Sequence, residues 1–282
     1  MKLMCNAQRS LRRSKMRRWA PSAPVRQALS RRLNLWVQAP GPKRAAANRA
    51  TKGRTTQSFG CGMKNVAVVA RKGGSGKTTV TVNLAIAAFR RGYGVRLVDT
   101  DPQGSSSESL KVRQGDGPQI LRMTGEEAFE LNRAPAPQGI DTTFIDTPAA
   151  SEDAIGHAIA IANLSLLIVR PTFLDLAAAL QTAQILRRLR KPGLIVLNQA
   201  PVPRGGVEPP AVKRAQEALR LMQLPVVPVV LRARASYQNS LATGQSVEEV
   251  SPGNPAGEEI AGLWSYIERF AFGGARNTSA VA

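Results

Sequence analysis

Cysteine is almost missing from this chain: Cys5 and Cys61 are the full complement among 282 residues, and both precede position 63. Neither a disulfide framework nor a cysteine-ligated metal can therefore hold the remaining residues together, and a reducing cytosol is the expected setting. Histidine is scarcer still. His157 stands alone in the middle of a helical stretch, and no Ser–His or Cys–His nucleophile arrangement is evident. No run of about 18 apolar residues occurs, which excludes an ordinary membrane-spanning helix. A secretory leader is not expected either, because residues 1–20 are broken throughout by Arg and Lys where such a leader has an apolar centre. Acid is missing from the first third of the chain, and the first carboxylate is Asp99.

What the chain has instead is positive charge, unevenly placed. Lys and Arg total 39 against 19 Asp and Glu, a net charge of +20. Residues 1–62 hold 15 of the bases, which leaves 24 bases against 19 acids from position 63 onward. That first stretch also carries Pro21, Pro24, Pro40 and Pro42 and too little recurring apolar material to offset the entropy of ordering. It is expected to be a disordered basic extension. A short DNA-binding helix around residues 25–37 and an organelle transit peptide are the other readings. Met63-Lys64-Asn65-Val66 runs straight into an apolar stretch, so position 63 is the expected domain boundary and functional start. Residues 63–272 are expected to form one domain, followed by a flexible tail at 273–282.

Within that domain the periodicity alternates. Short Val/Ile/Leu-rich runs at 65–70, 95–99, 143–146, 164–169, 193–198 and 226–231 read as buried parallel strands. Between and after them, helical spacing covers 78–91, 151–162, 174–189, 210–222, 236–243 and 256–272. Strands alternating with helices imply an α/β fold: a mostly parallel, doubly wound sheet flanked by helices on both faces, with ligands bound at the carboxyl ends of the strands.

The first strand and first helix are joined by Lys72-Gly73-Gly74-Ser75-Gly76-Lys77-Thr78-Thr79. A chance match to its seven fixed positions in a chain this long has odds on the order of one in a million at average residue usage. The run therefore carries the assignment by itself. Glycines let backbone N–H groups close around phosphate oxygens, and the helix that follows presents its positive dipole end. In this P-loop, Lys77 should reach the β- and γ-phosphates and the Thr78 hydroxyl should ligand Mg²⁺. The ordinary Walker pattern has glycine where Arg71 stands, so the match is to the variant with paired glycines and an extra lysine. Phosphate chemistry also needs carboxylates at neighbouring strand ends. Asp99-Thr100-Asp101-Pro102-Gln103-Gly104 and Asp146-Thr147-Pro148 supply them.

These motifs resemble those of the ParA/MinD superfamily of deviant Walker A ATPases, above all the short plasmid-type ParA partition ATPases. The resemblance spans residues 63–272 and includes Val98-Asp99-Thr100-Asp101-Pro102-Gln103, Pro171-Thr172-Phe173-Leu174-Asp175, and the intervals of Tyr237, Gly244, Ser246 and Val247. It implies ATP and Mg²⁺ as cofactors, a homodimer in the ATP state, non-specific DNA binding in that state, and slow hydrolysis stimulated by a ParB-like centromere-bound partner. By the same resemblance, Lys72 crosses to the other subunit's phosphates, Asp101 positions the attacking water, Asp99 and Asp146 belong to the Mg²⁺ shell, and Asn198 lies beside the adenine. The family usually has Asn where this chain has Ala70. DNA-contact candidates are Arg232 and Arg234, with Lys213, Arg214 and Arg220 on a nearby helix. Phosphate contacts need only clustered positive charge.

Other branches fit less well. Residues 273–282 have no amphipathic face of the kind that lies in a lipid surface, the body lacks cluster cysteines, and Tyr93, Tyr237 and Tyr266 form no terminal tyrosine cluster. DNA partition in a cytoplasmic, nucleoid-associated protein is the expected role. The alternative is a ParA-like ATPase that positions a protein cargo or acts as a regulator.

Overall fold

Five of the six apolar runs become strands of one parallel sheet, and residues 119–122 supply the sixth strand. The structure is a computed structural model and describes residues 63–273 apart from 136, 150, 151 and 251; the expectations for residues 1–62 and 274–282 fall outside it. The strands are β1 (Lys64–Val69), β2 (Val95–Asp99), β3 (Gln119–Arg122), β4 (Thr142–Asp146), β5 (Leu164–Val169) and β6 (Gly193–Leu197), in the order β3-β2-β4-β1-β5-β6. All pairs are parallel, and helices cover both faces, as the alternation implied. Along each strand successive side chains alternate between the two faces. Val66, Val68, Leu97, Phe144, Leu166 and Val196 join one core, while Ala67, Val69, Val98, Ile145, Leu167 and Ile195 join the other.

The first core is closed by α1 (Lys77–Phe89), α2 (Ser105–Lys111), α7 (Ala235–Ala242), the short α8 (Val247–Val250) and α9 (Pro255–Phe272). The second is closed by α3 (Gly125–Leu131), α4 (Glu152–Ile161), α5 (Phe173–Arg188) and α6 (Pro210–Arg220). Local chemistry sets several helix starts. Asn254 accepts from the amides of Ala256 and Gly257 with Pro255 behind it, Thr172 accepts from Asp175, and Thr124 and Glu127 form a capping box. Trp264 of α9 is fully buried, 5.3 Å from Tyr93 and 6.2 Å from Phe144 between ring centroids. Truncating such a side chain costs about 3–5 kcal/mol.

Four elements exceed the sequence expectation, the short α8 among them, and one falls short. β3, α2 and α3 fill the stretch 100–142, to which periodicity assigned nothing. The expected strand at 226–231 is instead an extended segment with isolated bridges, Ile195 to Val226 and Ala200 to Arg232. Its amides at Val227, Leu231 and Ala233 donate to β6 and Ala200, but Pro228 has no N–H to continue the ladder.

Candidate functional site

Hydroxyls stitch the carboxyl ends of β1, β2 and β4 together. Thr100 donates to the Asp146 carbonyl at 2.7 Å, and Thr147 donates to the Val68 carbonyl at 2.7 Å. At this end the chain leaves β1, turns through residues 70–76 and starts α1. Gly76 has φ +90°, and a Cβ there would lie 2.3 Å from Asn198 Nδ2, so only glycine fits. Gly76 is also the N-cap of α1, and no side chain caps that helix. The first-turn amides and the positive end of the helix dipole are thus left to an anion.

Lys77 opens the helix and is only 7% exposed. Burial lowers its ammonium pKa, and the negative charges of Asp146 and Asp101 pull it back up. Asp146 is fully buried. Its Oδ1 accepts from Thr81 Oγ1 at 3.3 Å, while its Oδ2 has no hydrogen-bond partner. Burial pushes this carboxyl up to about 7; Asp99 adds to the rise, and Thr78, Ser106 and Lys77 oppose it.

Asp99, also fully buried, differs in that both oxygens are occupied: Oδ1 accepts from the Asp101 amide at 3.1 Å and Oδ2 from the Ser107 amide at 2.9 Å. It shapes the loop that carries Asp101. Asp101 is half-buried and accepts from the Gln103 amide at 3.0 Å.

The loop is pinned from the β6 side. Asn198 Nδ2 donates to the Ser75 carbonyl at 2.7 Å and Gln199 Nε2 to the Gly74 carbonyl at 3.0 Å, with Gln199 itself at φ +50°. Asn198, expected beside the adenine, therefore touches the loop backbone. Lys72 is half-buried and makes no hydrogen bond or ion pair among the described residues. Gly73 and Gly74 are exposed, Ser75 is buried with an unpartnered hydroxyl, and Thr78 and Thr79 are half-buried on the first turn of α1.

The basic candidates split into two groups. Lys213, Arg214 and Arg220 are exposed on α6. Arg232 instead donates to Glu208 through Nη1 at 2.7 Å and Nη2 at 2.8 Å, and Arg234 pairs with Glu259 at 2.9 Å. These two arginines lie near the start of α7, each held by a carboxylate.

A sequence profile of the CobQ/CobB/MinD/ParA nucleotide binding domain matches residues 66–247. The chain belongs to this family. Maintenance of carboxysome distribution protein A of Halothiobacillus neapolitanus is 31% identical over 204 residues, covering 69% of this chain and 92% of that protein. Chromosome-partitioning ATPase Soj of Thermus thermophilus is 30% identical over 171 residues, 48% of this chain and 69% of that one. Among solved structures, septum site-determining protein MinD of Pyrococcus horikoshii, complexed with Mg-ADP, aligns with a TM-score of 0.62 at 18% identity, covering 74% of this chain and 97% of that chain.

Within this ParA/MinD fold, the matching intervals after Arg232 have structural reasons. Tyr237 donates to Glu259, a Cβ on Gly244 would lie 2.6 Å from the Arg113 nitrogen, and the Val247 amide donates to Asn83 Oδ1 at 2.8 Å. Three residues beside the site escaped sequence reasoning: Thr81, Gln199 and Arg170. Thr81 lies one helical turn after Lys77, and Gln199 follows Asn198. Arg170 is held by Asp175 at 2.9 Å, and its Nη1 would stand 3.6 Å from a Cβ on Gly74. Its place directly before Pro171-Thr172 was the available signal.

No three His, Cys, Asp or Glu side chains among the described residues are grouped to hold a metal ion. Mg²⁺ needs no such cage when substrate phosphates and one or two carboxylates complete its octahedron. The unpartnered Asp146 Oδ2 beside Thr78 fits that donor set.

Proposed function

We propose that this chain is an ATPase that binds Mg-ATP at the Lys72–Thr79 loop, dimerises in the ATP state, binds DNA non-specifically as a dimer, and uses the cycle to position a protein cargo. What supports the chemistry is one convergence. An uncapped helix N-terminus, a buried lysine and a buried carboxylate with a free oxygen meet at one end of the sheet. The residues divide the work accordingly. Lys77 and the α1 amides hold the phosphates, and the Thr78 hydroxyl with Asp146 would hold Mg²⁺, which supplies charge neutralisation of the phosphate oxygens. Asp101, at the tip of the loop organised by Asp99, orients the attacking water. Lys72, without a partner among the described residues, supplies its charge across the dimer.

For the output, the 31% identity to a carboxysome-distribution protein over 92% of that protein's length supports cargo positioning ahead of DNA segregation. The similarity to Soj keeps segregation as the second reading. In either case a DNA- or cargo-bound stimulatory partner is expected to accelerate hydrolysis, and Lys213, Arg214 and Arg220 with Arg232 and Arg234 to contact DNA. Deleting the gene in its native host separates the two outputs. Cargo positioning predicts unchanged inheritance of DNA and loss of regular spacing of a protein assembly. Loss of DNA inheritance with normally distributed protein assemblies overturns it.

A further inference from the structure

A cavity of about 220 Å³ lies at the opposite end of the sheet from the phosphate loop, between the strand starts and α3. Strand register sets its polar side. Asn65 of β1 stands beside Thr143 of β4, Thr143 beside Arg96 of β2, and Arg96 beside Gln119 of β3. Four polar side chains thus form one row across four adjacent strands on one face, and all four line the cavity. The next row on that face is apolar: Ala67, Ile145, Val98 and Leu121. Strands covered on both faces are ordinarily apolar throughout, so this row departs from the rule.

Asn65 and Thr143 are satisfied within the protein, and Gln119 is exposed to solvent. The Asn65 amide donates to Asn132 Oδ1 and to the Ile161 carbonyl, and Thr143 donates to Met63 Sδ. Arg96 is the exception. It is only 4% exposed, its side chain has no hydrogen bond or ion pair to any described residue, and its Nε is enclosed without a partner. No carboxylate is among the described residues that line the cavity. Desolvation accordingly pulls the guanidinium pKa down, with no opposing charge. The planar fork of a guanidinium matches carboxylate and phosphate oxygens. The cavity equals roughly seven water volumes, room for an anionic head and a few carbons.

We propose that this cavity binds a small organic anion, whose carboxylate or phosphate pairs with Arg96 and whose short apolar part rests on Val98, Leu121 and Ile145. The site is separate from the nucleotide site and does not depend on it.

The test titrates the full chain, arginine-labelled with ¹⁵N, with butyrate and separately with methyl phosphate. Excess Mg-ADP is present to occupy the phosphate loop, and the readouts are the Arg Nε–H resonances and the melting temperature. The expected result is saturable movement of one resonance that is missing in Arg96→Met, a rise in melting temperature on saturation, and roughly tenfold or greater loss of affinity in that variant. The anion that saturates names the head group. Leu131→Trp, which fills the cavity from α3 and keeps Arg96, should abolish binding if Arg96→Met fails to fold. Saturation by neither anion, or binding that survives in the foldable variants, overturns the proposal. Because the resonance belongs to Arg96 itself, failure of nucleotide binding leaves the result readable.

Discussion

Asn198 holds the main-chain carbonyl of Ser75 at 2.7 Å, which ties the end of β6 to the middle of the phosphate loop. Removing that contact in Asn198→Ala leaves a loop carbonyl unsatisfied, a penalty of about 1–3 kcal/mol in a buried place. Nucleotide affinity should fall by about tenfold, read by titration with a fluorescent nucleotide. Gly76→Ala should abolish binding, because it combines a left-handed backbone with a Cβ pressed against the same Asn198 amide. Full affinity in either variant would show that the loop is set without β6.

The two lysines of the loop should separate in function. Lys77→Ala removes the buried charge at the start of α1 and should eliminate measurable nucleotide binding. Lys72→Ala removes a side chain with no partner among the described residues and should leave affinity within a few-fold while preventing the ATP-dependent dimer. Sizing with ATP, ADP and no nucleotide decides it; a full dimer from Lys72→Ala rejects the trans role. Asp101→Ala should bind and dimerise yet turn over slowly.

Asp146 predicts a pH signature in metal-free protein. Its carboxyl is raised from 3.8 to about 7, so between roughly pH 4 and 7 the folded chain binds more protons than the unfolded chain. Stability from this group is present at the acid end and is lost as pH rises through the folded value. The full swing is on the order of 4 kcal/mol. Asp146→Asn should flatten that slope and raise the melting temperature at pH 8 in a chelator. An unchanged slope in the variant would place the titration on another group.

Charge reversal should grade the basic residues. Lys213→Glu with Arg214→Glu, both exposed on α6, should weaken ATP-dependent binding to unrelated duplexes equally and flatten the log–log salt dependence by about 0.9 per lost phosphate contact. Arg232→Glu should also destabilise the fold, since it sets a second carboxylate against Glu208. Melting curves and gel shifts read together distinguish the two kinds of loss.

Much of the fold was legible because burial on both sheet faces forces unbroken apolar strands, and β2 and β5 have the very bounds their Val/Ile/Leu runs imply. β3 was not legible. Gln119-Ile120-Leu121-Arg122 is short and polar at both ends, as an edge strand is, and leaves no period to count. The expected strand at 226–231 has strand-like side chains, but Pro228 withholds the amide that a ladder requires. In the site, glycine spacing and strand-end acids exposed the loop. The contact of Asn198 with Ser75, 123 positions apart, depends on the packing of β6 beside β5 and could not be read locally.

Both margins of the sheet are unsuited to growth. One margin is β3, four residues long with exposed Gln119 and Arg122; the other is the segment after β6, where Pro225 and Pro228 present no amide to an incoming strand. Edges this short, charged or proline-blocked do not template pairing with another chain. Strand addition at either margin is thereby disfavoured as a route to fibril-like stacking.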